Sequence, residues 1–269
     1  MTIDLDAYLE RIDYHGPREP TLEVLSALHS LHPAAIPFEN LDPLLGRPVS
    51  LDLATLEAKL VRAGRGGYCF EQNALFRAAL EALGFAVTPL IARVVWMSPA
   101  DQPLGPRNHM LLGIDLGGQA YLADVGFGGH LVSSPLRFEP NLEQQTAQAV
   151  LRLRVDREAF VAETLLPTGW TPMYRFTLEP AEQSDYELSN WYTSTYPGFL
   201  LTTHLLAERL TPEVRASLVD TRLTRRYLDG RVEIVELSTP ETFSRALEEE
   251  LAVSIPVDPA QLLARLPAV

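Results

Sequence analysis

A single cysteine, Cys69, stands among 269 residues, so neither an intramolecular disulfide nor a cysteine-based zinc site can form. Basic residues are scarce. Lys and Arg number 22 against 35 Asp and Glu, and a formal charge of −13 argues against a nucleic-acid partner. That charge leaves room for one small anionic ligand, because a helix N-terminus, a glycine-rich turn and a few arginines can hold a phosphate locally. No apolar run is long enough to span a membrane, and the acidic, amphipathic start MTIDLDAYLERIDYHG has neither a basic n-region nor an apolar h-region. A cytoplasmic location is therefore expected. Internal repeats, low-complexity tracts, and the fingerprints of a dinucleotide fold or a phosphate loop are all missing.

What is present gathers around the cysteine. Gly66-Gly67-Tyr68-Cys69-Phe70-Glu71-Gln72-Asn73 leads into Ala74–Leu83, a run of strong helix formers closed by Gly84. The two glycines permit a sharp turn and a close backbone approach. Cys69 then falls in the first turn of a helix, where the macrodipole and free N–H groups favour a negatively charged sulfur. Cys69, Asn73, Phe76, Leu80 and Leu83 share one helical face, which turns the sulfur inward. The alternative is an inert core thiol, since free cysteine is among the most buried residue types.

Periodicity predicts helices over residues 4–14, 21–32 and 52–63, with an extended loop at 36–42. From Phe85 the texture becomes β-branched and alternating. Strands are expected at 85–96, 109–114, 119–125, 148–155, 158–165 and 173–179, with a polar loop at 138–147. Beyond 185 the chain is mixed. It offers a helical or irregular stretch at 185–195, a hairpin of 222–228 and 231–237 across Asp229-Gly230, and helices at 240–252 and 259–266. The expected class is α+β, with a helical bundle (1–84), a β-sheet or small barrel (85–184) and a mixed section (185–269).

A thiol becomes a useful nucleophile when a base takes its proton and a third group fixes that base. His29 and His32 lie near a helix end and are expected at the surface; His15 and His204 sit beside turns. His109 opens one strand of a predicted hairpin whose return strand carries Asp124. A two-residue loop at Leu116-Gly117 puts the two face to face; a loop at Gly117-Gly118 makes them diagonal neighbours on the same face. A three-residue loop would separate them. Asp124 in an otherwise apolar strand needs a partner, because an unpaired buried carboxylate is costly. A structural His–Asp pair unrelated to Cys69 is the competing reading. The glycines of Gly126-Phe127-Gly128-Gly129 could cradle an anion, whereas Arg152, Arg154 and Arg157 read as a solvated strand face.

Four blocks, Ile36-Pro37-Phe38-Glu39-Asn40-Leu41, Arg65–Asn73, His109 with Met110-Leu111-Leu112, and Asp124–Gly128, together resemble the arylamine N-acetyltransferase family in order and spacing. Asn190–Pro197 fits as a fifth. The resemblance implies a helical section, a barrel and an α/β lid around a papain-like Cys-His-Asp core. It implies acetyl transfer from acetyl-CoA, as co-substrate and without a metal, to an arylamine, arylhydroxylamine or hydrazine by a ping-pong route. Carried over, Cys69 is the nucleophile, His109 its base and Asp124 the orienter. Phe38, Phe127 and Asn108 border the acceptor, and Gly105, Tyr192, Gly198 and Gly128 follow the CoA path. Arg65 and Glu39 form a structural ion pair nearby. The resemblance leaves a homodimer open. The sequence departs from the family after Pro197, where Phe199 replaces a small polar residue and Leu201 an aromatic one. Two other readings keep the same three residues: a transglutaminase-type thiol enzyme acting on amides, and a silent binding module.

Overall fold

The computed structural model describes residues 2–99 and 101–267. Helix α1 (Leu5–Arg11) begins where the Asp4 carboxylate accepts the Ala7 N–H, and α2 (Leu22–Ala35) where Thr21 accepts the Val24 N–H. After α2 the segment expected as an extended loop holds a two-residue strand, β1 (Phe38–Glu39), and a single turn, α3 (Leu41–Leu44). Helix α4 (Leu53–Leu56) is capped by Asp52 and runs on as a π-helical turn over Glu57–Arg62. The cysteine helix is α5 (Cys69–Ala82), closed by Gly84 at φ +86 as the sequence predicts. Its buried residues are polar in the first turns (Glu71, Gln72, Asn73) and apolar beyond them (Leu75, Phe76, Ala79, Leu80).

The β-rich middle forms one antiparallel eight-stranded sheet. Its strands are β2 (Ala86–Val94), β3 (His109–Leu116), β4 (Gln119–Ala123), β5 (Leu136–Arg137), β6 (Gln144–Gln145), β7 (Val150–Asp156), β8 (Ala159–Leu166) and β9 (Gly169–Phe176). The order is β5-β4-β3-β2-β9-β8-β7-β6. The two edges meet through Gln144, whose side chain takes the Arg137 N–H at 2.7 Å and donates to its carbonyl at 3.0 Å, so the sheet is nearly a closed barrel. The stretch expected as a polar loop at 138–147 thus contains the strand that approaches closure. Pro172 lies in β9 opposite Glu163, at the register shift beside Ala162, where a missing N–H is tolerated. Arg152 and Arg154 share the Glu163 carboxylate at 2.7 and 2.8 Å, so this strand face is paired within the protein.

Helix α6 (Gln183–Thr195) and the turn α7 (Leu200–Thr203) lead to β10 (Leu206–Leu210), β11 (Val214–Val219), β12 (Arg222–Tyr227) and β13 (Val232–Glu236). Helix α8 (Pro240–Arg245), with a π turn to Glu250, and α9 (Pro259–Leu263) complete the chain. These strands form a second antiparallel sheet, and β1 joins it beside β10, pairing Phe38 with Glu208 and Glu39 with Ala207. Asn40 seals the junction: its amide donates to the Leu201 and His204 carbonyls at 2.8 and 2.7 Å and accepts the Leu206 N–H at 2.7 Å. No helix among the described residues is long and apolar enough to cross a membrane.

Candidate active site

Cys69 is the first residue of α5, and the glycines before it are needed for space rather than for turning. A Cβ on Gly66 would lie 2.2 Å from the Pro37 carbonyl oxygen, and one on Gly67 2.7 Å from a Glu71 carboxylate oxygen. The Glu39 N–H bonds the Gly67 carbonyl at 3.0 Å, and the Gln72 amide donates to the Ile36, Pro37 and Gly67 carbonyls at 3.2, 2.7 and 3.1 Å. The helix start is therefore moored to the strand that carries Phe38. The Tyr68 N–H, next to Cys69, is taken by the Glu71 carboxylate at 3.1 Å and is not free to face a developing oxyanion.

Helix α5 presents Cys69 to the end of the β3–β4 hairpin. Leu116 pairs with Gln119 and Leu112 with Ala123, so the loop is Gly117-Gly118, with φ of +63 and +89, and Asp124 is the diagonal neighbour of His109. His109 Nε2 lies 2.7 Å from Asp124 Oδ2, both residues buried. The Cys69 sulfur lies 3.7 Å from the Asn108 carbonyl oxygen and borders the same cavity as His109. Burial by itself pulls the His109 pKa down, but the Asp124 carboxylate, followed by the Cys69 sulfur, outweighs it and raises the pKa to about 10. For Asp124 the upward pull of burial is likewise outweighed, by His109, Asn73 and the Gly126 N–H, and its pKa is held below the usual range.

Asn73, one turn after Cys69, ties these parts together. Its amide nitrogen donates to Asp124 Oδ1 at 3.0 Å and to the Met110 carbonyl at 2.8 Å, and its oxygen accepts the Val125 N–H at 3.1 Å. The sequence places Asn73 on the buried face without assigning it this task; a polar residue on an apolar stripe was the available signal. Gly126 lets the hairpin come this close, since a Cβ there would stand 2.8 Å from both the Asn73 amide nitrogen and the Cys69 Cα. Gly126→Ala should therefore destabilise the fold by about 1–3 kcal/mol, through backbone that cannot move aside. Thermal unfolding would read this as a Tm lower by several degrees; an unchanged Tm would show that the two segments can part.

His29 and His32 correct the surface expectation. Both are fully buried, because α2 lays its last turns on α5, with each ring edge-on to Phe76. His29 Nε2 accepts the Asp124 N–H at 3.0 Å, and His32 bridges the Tyr8 hydroxyl at 2.9 Å and Gln72 at 2.6 Å. Burial lowers their pKa values to about 4 and about 3, so they are neutral hydrogen-bonding rings rather than cations at a helix end.

The predicted ion pair is present, with Arg65 Nη2 2.7 Å from Glu39, and it belongs to a larger cluster. Arg65 also meets Asp42 at 3.1 Å, while Lys59, the chain's only lysine, meets Asp42 at 2.7 Å and Glu71 at 2.6 Å. Each of these carboxylates thus has a cation beside it.

A cavity of about 150 Å³ opens over Cys69 and His109, and Phe38, Asn108, Phe127 and Gly128 all border it. The Phe38 ring occupies the space where a Gly128 Cβ would stand, 2.4–2.6 Å away, so this glycine accommodates an aromatic wall. The Asn108 side chain is turned to the Val94 N–H, 3.0 Å away. Gly105 and Gly198 are not brought to the cavity. Gly105 lines a separate hollow of about 250 Å³ beyond β2, and Gly198 one of about 490 Å³ beside Pro43–Pro48. Tyr192 packs against Phe199 and Tyr196. Sequence reasoning missed Trp96 and Thr193, which also line the cavity, and Tyr174, whose ring lies 4.9 Å from that of His109.

The sequence model of a family described as N-acetyltransferase matches residues 21–260. The arylamine N-acetyltransferase of Mycobacterium tuberculosis is 40% identical over 258 residues, 95% of this chain and 91% of that protein. A Salmonella typhimurium protein named arylamine N-acetyltransferase / N-hydroxyarylamine O-acetyltransferase is 37% identical over 256 residues, 95% and 90% of the two chains. The structure of the Mycobacterium marinum arylamine N-acetyltransferase in complex with CoA superposes with a TM-score of 0.93 at 36% identity, covering 97% of this chain and 98% of that one.

Proposed function

The chain belongs to the arylamine N-acetyltransferase family, and on that premise we propose that Cys69 takes an acetyl group from acetyl-CoA and passes it to an arylamine, arylhydroxylamine or hydrazine. One observation carries this reading: the only cysteine shares a cavity with His109, whose Nε2 is held by Asp124, leaving Nδ1 to serve the thiol.

His109 takes the Cys69 proton, and the thiolate attacks the thioester carbonyl. The Cys69 N–H, at the start of α5, is the donor left for the oxyanion, since Glu71 holds its neighbour. Collapse breaks the carbon–sulfur bond to CoA, which leaves as a thiolate and recovers a proton from His109. The acceptor amine then attacks the acetyl-cysteine, His109 takes the amine's proton, and the Cys69 thiolate departs. Phe38 and Phe127 offer flat apolar walls to an aryl ring.

In this reading residues 1–84 supply the nucleophile, 85–184 the base and its orienter, and 185–269 a lid over both. Acetyl-CoA as donor and a thiol that must stay reduced support a cytoplasmic reaction.

The test is intact-protein mass after brief mixing with acetyl-CoA and no acceptor. One acetyl group should appear and be discharged by an aromatic amine. Absence of an adduct with any acyl thioester would move the weight to amide chemistry or to a silent fold.

A further inference from the structure

Phe199, Leu200 and Leu201, in the segment between α6 and β10, form part of the wall of the cavity that holds Cys69, and a tight turn precedes them. Tyr196, Pro197, Gly198 and Phe199 form a type II turn: the Phe199 N–H bonds the Tyr196 carbonyl at 3.1 Å, Pro197 holds the second position, and Gly198 supplies φ +80 at the third. This conformation accounts for Gly198. On the far side the Phe199 carbonyl accepts the Thr202 N–H at 2.9 Å and the Thr202 and Thr203 hydroxyls at 2.9 and 3.0 Å, so the main chain is fixed at both ends.

The Phe199 ring is also held. It meets Tyr192 edge-to-face at 5.8 Å, and Tyr192 stacks on Tyr196 at 4.7 Å. Beside it Leu201 is buried and lines the same cavity, its carbonyl held by Asn40 at 2.8 Å. The remaining walls cannot yield cheaply, because Phe38 rests on Gly128 and Trp96 packs on Phe127 at 6.1 Å and on His130 at 5.4 Å. A close-packed aromatic wall resists displacement.

The free space over Cys69 and His109 is about 150 Å³. An enclosed apolar cavity of about 150 Å³ accommodates one benzene ring; this one has a mouth open to solvent, so the size sets what fits between its walls. An amine attacking the acetyl-cysteine must bring its nitrogen to about 3–3.5 Å from the acetyl carbon, which puts its own ring in this space. Phe199 borders this space, so a second ring fused or linked to the first and directed at that wall would compete with its side chain.

We propose that Phe199 is a specificity-determining residue that makes the acceptor site a single-ring site, suited to substituted anilines and phenylhydrazines and closed to two-ring amines. The proposal rests on the acetyl-transfer reading of Cys69. It assigns the selectivity to the Phe199 side chain in the cavity wall, and so the selectivity belongs to the acceptor half of the reaction.

The experiment is a competition. A para-substituted aniline and 2-aminonaphthalene at equal concentration compete for the same acetyl-enzyme, so the product ratio gives the ratio of kcat/KM whatever the rate of the donor half. The parent protein should favour the aniline by at least about tenfold, and Phe199→Ser should shift the ratio toward the two-ring amine by about tenfold or more. Phe199→Leu, a smaller perturbation of the fold, should shift it in the same direction by less. A product ratio unchanged in both variants, or a parent that prefers the two-ring amine, would overturn the assignment. Intact mass taken before the acceptors are added separates the two levels: no acetyl on Cys69 would remove the acetyl-transfer reading itself.

Discussion

Cys69→Ala should fold like the parent and acetylate nothing. The sulfur is one atom at the wall of a cavity, and the contacts that hold α5 to the hairpin run through Asn73, Gly126 and Asp124 instead. Far-ultraviolet circular dichroism and Tm should therefore stay close to those of the parent. The chemical loss is of another order. Without the thiol there is no covalent intermediate, and direct attack of an amine on the thioester lacks both the nucleophile and the divided barrier that a two-step route provides. Removing the nucleophile of a triad enzyme lowers kcat by on the order of 10⁶, and a loss of that size is expected here in steady-state transfer, together with no acetyl adduct by intact mass. Transfer within tenfold of the parent rate would end the cysteine mechanism.

The parts of this site that were legible in the sequence are those set by local rules. The start of α5 follows from its helix formers and from the glycines ahead of it. The β3–β4 hairpin follows from alternation around a Gly-Gly loop, and the pairing of His109 with Asp124 from the two-residue period of a strand. What escaped depends on contacts distant in the chain. A two-residue strand at Phe38–Glu39 has no periodicity to display, and it exists because β10 passes beside it. The strands β10 and β11 went unread because their buried faces include Glu208 and Arg215, which look like solvent residues until their partners are known. Glu208 accepts the Gly129 and Leu131 N–H groups at 2.7 and 3.0 Å, steadying the loop that carries Phe127. His29 and His32 were misread for a related reason. A histidine near a helix end suits solvent as a cation or a core as a neutral donor–acceptor, and only the packing of α2 on α5 decides between them. The bond from the Tyr68 N–H to Glu71 is local, three residues apart, yet it shows only once the helix start is placed.

Asp124→Asn separates holding the imidazole from charging it. The amide is isosteric, and its oxygen can still accept from Asn73 and from the Gly126 N–H, so the hairpin keeps its anchor. The other side changes sign: an NH₂ group now points at His109 Nε2, where the carboxylate stood 2.7 Å away. Two donors cannot share that line. The ring must therefore give up its Nε2 proton and carry one on Nδ1, the nitrogen that has to receive the proton from Cys69. Charge moves in the same direction. In the parent, burial favours the neutral ring and Asp124 overrides it, lifting the pKa to about 10, so the imidazolium persists through neutral pH. Without the carboxylate, burial is opposed only by the weaker influence of the sulfur, and the ring is neutral at pH 7. No uncompensated charge remains in the core, so the Tm should change little, in contrast to the penalty for orphaning one partner of a buried pair. Activity should fall by about 10³–10⁴ in kcat/KM at pH 7, the scale of the wrong-tautomer effect in other triads. Alkylation of Cys69 by iodoacetamide at the same pH should slow in parallel, because it reads the thiolate without any acyl chemistry. Full activity in Asp124→Asn would reduce the His–Asp contact to a structural pair and leave Cys69 to find its base elsewhere.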